Sequence, residues 1–328
     1  MMKNNPLDRV ASGLIEHDHN SDGIDRRGFL KCMAWAGTGA VCLMEAGVLK
    51  SYALGGQKGG KTKSHQQSAF SFVQISDSHM GFNKPANPDV IATLRAAVDK
   101  INALPDQPDF ILHTGDISHL SKPSEFDDVD QILKATNKEI FFVPGEHDVL
   151  NDDGAMFRER YGRNSKGQGW YSFDKNGVHF IGLVNVMNLK AGGLGALGND
   201  QLEWLKQDVH NLKSSMPIVV FAHIPLWSVY PQWGWGTDDA AQALLCLKKF
   251  GSVTVLNGHI HQTMQKVEGN VTFHTAFSTA FPQPAPGRAE GPGPMKVPPG
   301  QLRSVLGVTD VHYMQGRHAL GVVDSSLA

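Results

Sequence analysis

Five short signatures place Asp, Glu and His residues as a metal site would need them. They are Asp77-Ser78-His79, Gly115-Asp116, Gly145-Glu146-His147-Asp148, His223, and Gly258-His259-Ile260-His261. Nitrogen and oxygen donors with no cysteine among them suit zinc, manganese or iron. One D-x-H or H-x-H pair would carry little weight in a chain with 15 histidines, but an ordered set carries far more. In Asp77-x-His79 and His259-x-His261, alternate residues of an extended segment would face the same way, so each pair could reach one cluster. The glycines at 115, 145 and 258 would let the backbone turn sharply and ions approach closely.

The elements that must position these residues follow from hydrophobic pattern. Short β-rich runs recur at 70–76, 110–114, 140–143, 179–184, 217–222, 252–257 and 271–275. Helical patterns lie between several of them. Residues 89–103 set Val90, Ile91, Leu94, Ala97, Val98 and Ile101 on one stripe between two prolines, and further helices are expected at about 200–212 and 239–250. Strands alternating with helices indicate an α/β layered fold. The five signatures each follow a β-rich run, and groups just past the carboxyl ends of strands converge on one crevice. The stretch 281–300, saturated with Pro and Gly, is expected to be an extended surface loop, and a last β-like segment at 316–324 to close the domain.

Of the 328 residues, 41% are hydrophobic and 19% charged, as in a packed globular protein. A formal charge of −2 and a pI near 6.7 leave no nucleic-acid footprint. The run Asp25-Arg26-Arg27-Gly28-Phe29-Leu30-Lys31 resembles a twin-arginine export signal, with an apolar stretch at 32–44 and small residues at 51–53 for cleavage. That resemblance implies a partner in the twin-arginine export machinery and a periplasmic protein exported already folded. The apolar stretch is short, Gly-rich and interrupted by Glu45, so no stable membrane span is expected after signal removal; an uncleaved anchor is the alternative. The expected organisation is a signal at 1–53, a flexible tether at 54–69 and a single domain at 70–328. Cys32 and Cys42 fall within the signal, leaving Cys246 without an internal disulfide partner.

The ordered set D-x-H, G-D, G-E-H-D, H and G-H-x-H resembles the calcineurin-like metallophosphoesterase family over about residues 70–275. The resemblance implies a four-layer α/β/β/α sandwich, two metal ions (Fe, Mn or Zn), and hydrolysis of a small phosphate-ester substrate by a metal-activated hydroxide. It implies that Asp77, His79, Asp116 and His261 hold one ion and Asp116, Glu146, His223 and His259 the other, with Asp116 bridging. His147 would face the substrate and Asp148 orient it. The family's usual residue at 146 is Asn. With Asp77 and Asp116, Glu146 makes three carboxylates against two divalent ions, one unit less positive than an Asn site. That implies a bias towards monoanionic diesters over dianionic monoesters, or preference for a trivalent iron. A non-catalytic metal-binding protein or a di-metal redox protein are the alternatives on the same fold.

Other residues admit two readings. His113 reads as a packed core histidine, and His179 and His274 as sheet residues. His119 could reach substrate or serve a loop hydrogen bond; His312 and His318 carry no assignment. Trp227, Tyr230, Trp233 and Trp235 crowd the loop 225–236 just after His223, either as a lid that stacks on substrate or as an aromatic cover. Trp204 reads as helix packing. Residues 193–198 fit GxGxxG, but the next strand ends in His223 where a dinucleotide site needs an acid, so a permissive loop is expected.

Overall fold

The computed structural model describes residues 40–45, 48–53, 69–314 and 320–328. The Arg26-Arg27 motif, residues 54–68 of the expected tether and His318 lie outside the described residues. Strands β1 (Ala40–Glu45) and β2 (Val48–Ala53) pair as an antiparallel hairpin in a separate unit. Among the described residues no helix is long and apolar enough to cross a membrane.

The second unit spans 66–328 and holds two sheets. The first has the order β13 (Gly321–Ser326), β12 (Gly307–Met314), β3 (Ala69–Ile75), β4 (Phe110–His113), β5 (Glu139–Phe142). The second runs β10 (Met264–Glu268), β11 (Val271–Thr275), β9 (Val253–Asn257), β8 (Ile218–Phe221), β7 (Val178–Gly182), β6 (Tyr171–Lys175). Strands β3, β4 and β5 are parallel, with Ile75 opposite His113 and His113 opposite Phe142. Strands β7, β8, β9 and β11 are also parallel, with Phe221 opposite Leu256. Each sheet therefore sends its carboxyl-terminal loops out from one aligned row.

Aromatic packing joins the sheets. Phe72 stacks on Phe110 at 4.9 Å, and Phe180 of the facing sheet meets them edge-on at 5.5 and 5.4 Å. Such rings bury large areas and interlock geometrically. Helices α1 (Val90–Asn102) and α2 (Pro123–Leu133) cover the outer face of the first sheet through Leu94, Val98, Phe126 and Val129. Helices α4 (Asn199–His210) and α5 (Ala240–Leu247) cover the other through Leu205, Val209, Ala243 and Leu247. The result is the expected α/β/β/α sandwich.

Several details depart from the sequence pattern. Asp89 caps α1 by accepting from the Ala92 N–H at 2.9 Å, but Ile91 points outward at 40% exposure. Helix α2 was not expected: it begins at Pro123, and its buried stripe is diluted by acidic residues. The short helix α3 (Ala155–Tyr161) and strands β6, β10 and β12 were also missed. The described part of the closing strand is Gly321–Ser326, residues 316–319 of the expected segment lying outside the described residues, and β12 is a full strand inside the sheet whose polar Thr309 pairs with Asp324. The glycines at 193–198 precede α4, but the Asp239 carboxylate takes the N–H groups of Leu197 and Gly198, so no anion cradle remains.

Phe180→Ala is expected to cost about 3–5 kcal/mol, the range for truncating a buried aromatic. Urea unfolding followed by circular dichroism measures this; a loss under about 1 kcal/mol would contradict the shared inter-sheet core.

Candidate metal centre

The loops after β3, β4, β5, β8 and β9 bring all seven expected donors together. His261 Nε2 lies 3.2 Å from Asp77 Oδ1 and 3.2 Å from His79 Nε2. His79 Nε2 lies 3.4 Å from Asp116 Oδ2. His223 Nε2 is 3.0 Å from Glu146 Oε2 and 3.4 Å from Asp116 Oδ2, and His259 Nδ1 is 3.0 Å from Glu146 Oε1. Two triads result, Asp77–His79–His261 and Glu146–His223–His259, with Asp116 within reach of both. Most of these side chains are buried.

The backbone that achieves this is not the extended one expected. Asp77, His79, Asp116, His259 and His261 all have φ between 40° and 70°. The D-x-H and H-x-H pairs reach one cluster because both members of each sit in left-handed turns. Each such residue costs on the order of 1–3 kcal/mol and persists only where its surroundings over-determine it. Asp and His tolerate this region better than most residues. Close approach is the second requirement. A Cβ on Gly145 would collide with the Asp116 carboxylate, and one on Gly258 with Ser76 and Asp77.

Some of these atoms pair, as His79 Nε2 does with His261 Nε2, but four approach their neighbours without pairing. Glu146 Oε2, His223 Nε2 and both ring nitrogens of His259 are buried and, among the described residues, make no hydrogen bond, despite separations of 3.0 Å between Glu146 and each histidine. His223 donates its Nδ1–H to the Thr114 carbonyl at 2.7 Å, and His261 donates its own to Phe281 at 2.5 Å. These bonds turn the Nε2 atoms into the cluster, the arrangement of metal-ligating histidines. Three carboxylates and imidazole lone pairs facing one another need positive charge. Burial opposes the His223 imidazolium, but Asp116 and Glu146 hold its pKa well above the usual histidine range. Burial likewise opposes ionised Asp77, yet His261 and His223 bring its pKa down to about 2. The donor set fits two cations.

His147 is also at the cluster, its ring 4.7 Å from that of His79. Asp148 does not orient it as expected. The His147 Nδ1–H goes to the His119 carbonyl at 2.7 Å. Asp148 instead accepts from the backbone N–H groups of Ile117, Ser118 and Gly145 and from the Ser118 hydroxyl, at 2.8 to 3.1 Å. It binds the Asp116 loop to the Glu146 loop. Burial and the nearby Asp116 still push its pKa up to about 7.

The other expectations divide. His113 is a satisfied core residue between Ser78 Oγ and the Gly115 N–H, and burial pushes it down to about 3. His179 bridges Asp174 and Asp208, His274 pairs with Asp324, and His312 with Asp310. Trp227 packs on Phe273 in the helix-side core and Trp235 is fully buried, so neither is a lid. Trp204 packs in the core near Trp170. Tyr230 and Trp233 are half-buried and meet edge to face at 5.1 Å. Phe281 was missed. Instead of opening a surface loop, it is 3% exposed, stacks on His79 at 4.8 Å and accepts from His261. Only its place at the head of the Pro/Gly stretch marked it.

The calcineurin-like phosphoesterase family model matches residues 70–263, and the chain belongs to that family. It is 30% identical over 178 residues to the mouse serine/threonine-protein phosphatase CPPED1, a match covering 48% of this chain and 57% of that protein. It is 24% identical to a 3',5'-cyclic-nucleotide phosphodiesterase of Nostoc sp., covering 64% of this chain and 79% of that protein. The chain thus spans little more than half the length of the mouse relative. A dimetal phosphatase from Danio rerio superposes with a TM-score of 0.56 at 15% identity, covering 78% of this chain and 99% of that one. A purple acid phosphatase from yellow lupin gives 0.57 at 12%, covering 80% and 52%.

Asp148→Asn replaces an acceptor oxygen with a donor that faces N–H groups. It is expected to cost about 2–3 kcal/mol, as for a buried charge-assisted bond, measured by chemical denaturation. Unchanged stability with lost activity would instead favour the orienting role.

Proposed function

We propose that this chain hydrolyses phosphate esters at the seven-donor cluster with two metal ions bound, phosphodiesters ahead of monoesters. The observation that carries the proposal is the convergence of seven carboxylate and imidazole donors in which Glu146 Oε2, His223 Nε2 and both His259 ring nitrogens are buried and, among the described residues, make no hydrogen bond. When bound, a pair of ions supplies Lewis acidity and makes water reactive near neutral pH.

The chain's own groups do the rest. Asp77, His79 and His261 would hold one ion and Glu146, His223 and His259 the other, with Asp116 between. His147, its Nδ1–H fixed on the His119 carbonyl, keeps Nε2 for the ester and for giving a proton to the departing oxygen. Tyr230 and Trp233 would contact the substrate's organic group. Tyr230 lies beside the Pro/Gly stretch, where a Cβ on Gly287 would sit 3.6 Å from its hydroxyl.

Diester preference rests on Glu146. Its two oxygens each face an imidazole at 3.0 Å, so a full carboxylate stands where an Asn would add no charge. The lower positive charge penalises a dianionic monoester more than a monoanionic diester. The names of similar proteins include both a protein phosphatase and cyclic-nucleotide and glycerophosphodiester phosphodiesterases. Export through the twin-arginine route is part of the proposal. Arg26→Lys with Arg27→Lys is expected to leave the folded chain in the cytoplasm, and undiminished periplasmic recovery would overturn that part.

The test is hydrolysis of a chromogenic diester and its matching monoester by protein reloaded with Mn, Fe or Zn. Asp116→Asn is expected to abolish turnover, and Glu146→Asn to shift preference towards the monoester by about tenfold, roughly 1.4 kcal/mol. No turnover with two metals bound would overturn the hydrolase assignment in favour of metal binding or redox chemistry; an unchanged ester ratio would overturn the role given to Glu146.

A further inference from the structure

His119 belongs to neither triad, yet it touches both the metal cluster and the substrate-facing histidine. A histidine that ligates through Nε2 carries its proton on Nδ1 and needs an acceptor there. His261 and His223 use backbone carbonyls for this purpose. Among the described residues, His79 has no such carbonyl in contact. The partner of its Nδ1 is the Nδ1 of His119, 3.4 Å away.

The same residue holds His147 in two ways. Its carbonyl accepts the His147 Nδ1–H at 2.7 Å, and its ring lies parallel to the His147 ring, with centroids 4.8 Å apart and planes 16° apart. His119 is itself pinned. Its N–H reaches the Met80 carbonyl at 2.9 Å and the buried Glu125 carboxylate at 3.2 Å. That carboxylate also accepts from Leu120 at 2.7 Å, and Phe82 meets the His119 ring edge-on at 5.2 Å. A loop residue serving only its own turn would not need both ring and backbone fixed.

We infer that His119 is a positioning residue that orients two histidines at once: its ring Nδ1 accepts the Nδ1–H of His79, and its carbonyl accepts the Nδ1–H of His147. The inference rests on the two-metal reading of the site. It links the ion held by Asp77, His79 and His261 to the group that faces the ester. A competing arrangement is a third cation held by His79, His119 and His147, whose nitrogens all lie within 4.8 Å. That would require His79 to use both nitrogens as ligands at the same time.

Two substitutions in the full chain separate these. His119→Phe keeps the backbone carbonyl and the ring stack on His147 but removes the Nδ1 acceptor. His119→Asn restores an acceptor oxygen near that position. Binding of Mn and Zn is measured by competition with a chelating dye, alongside metal content at saturation, melting temperature, kcat and KM. The expected result is that His119→Phe melts normally and still takes two ions at saturation. One ion should be held about 10–100-fold more weakly, the usual cost of losing an outer partner of a ligating histidine, and His119→Asn should recover most of that loss. Wild-type affinity for both ions in His119→Phe, or no recovery in His119→Asn, would overturn the inference. So would three ions in the wild type falling to two in both variants. Two tightly bound ions without turnover in the wild type would count against the hydrolase assignment alone, because the affinity comparison does not depend on turnover.

Discussion

Three carboxylates and four imidazoles crowd into a largely buried space, with donor atoms 3.0 to 3.9 Å apart. Like charges and lone pairs at that range repel strongly where water cannot screen them. Such a cluster is tolerable only with positive charge inside it. Protons can supply some, as the elevated His223 shows, but the unpaired Glu146 and His259 atoms are left over. Cations satisfy all of them together, and most features of the surrounding loops make sense as devices for holding that arrangement.

Those devices draw on the stability of the sandwich. Five donors occupy left-handed backbone, and two glycines exist where any side chain would strike a carboxylate. Asp148 and Glu125, both buried, spend their oxygens on backbone N–H groups of the ligand-bearing loops. Behind them, the interlocked phenylalanines between the sheets and the helices on either side fix the strand ends. With Ile75, His113 and Phe142 in one row, the loops start from a common baseline. Precise loops on rigid strands are what a two-ion centre requires.

Much of this was legible in the sequence. Donor residues directly after β-rich runs identified the crevice, because strand direction decides where such residues meet. Helices α1, α4 and α5 were placed to within a few residues, α1 on an apolar stripe from which only Ile91 turns outward. The failures have physical causes. Helix α2 hides its stripe among acidic residues, and β12 looks polar because its Thr309 is paired with Asp324 across the sheet. The left-handed turns at Asp77, His79, His259 and His261 were invisible, since pairs at i and i+2 suggest an extended strand. Phe281 and the job of Asp148 depend on contacts between residues distant in sequence, and no local pattern encodes them. Trp227 and Trp235 misled for the opposite reason: adjacency to His223 in sequence is not adjacency in space when the chain turns into the helix-side core.

The most direct measurement is anomalous diffraction at the Mn, Fe and Zn absorption edges from crystals of the metal-loaded protein. The expected result is two peaks, one ringed by Asp77, His79 and His261 and one by Glu146, His223 and His259, with Asp116 touching both. A single peak, or metal bound elsewhere while the seven side chains keep their present arrangement, would contradict the account.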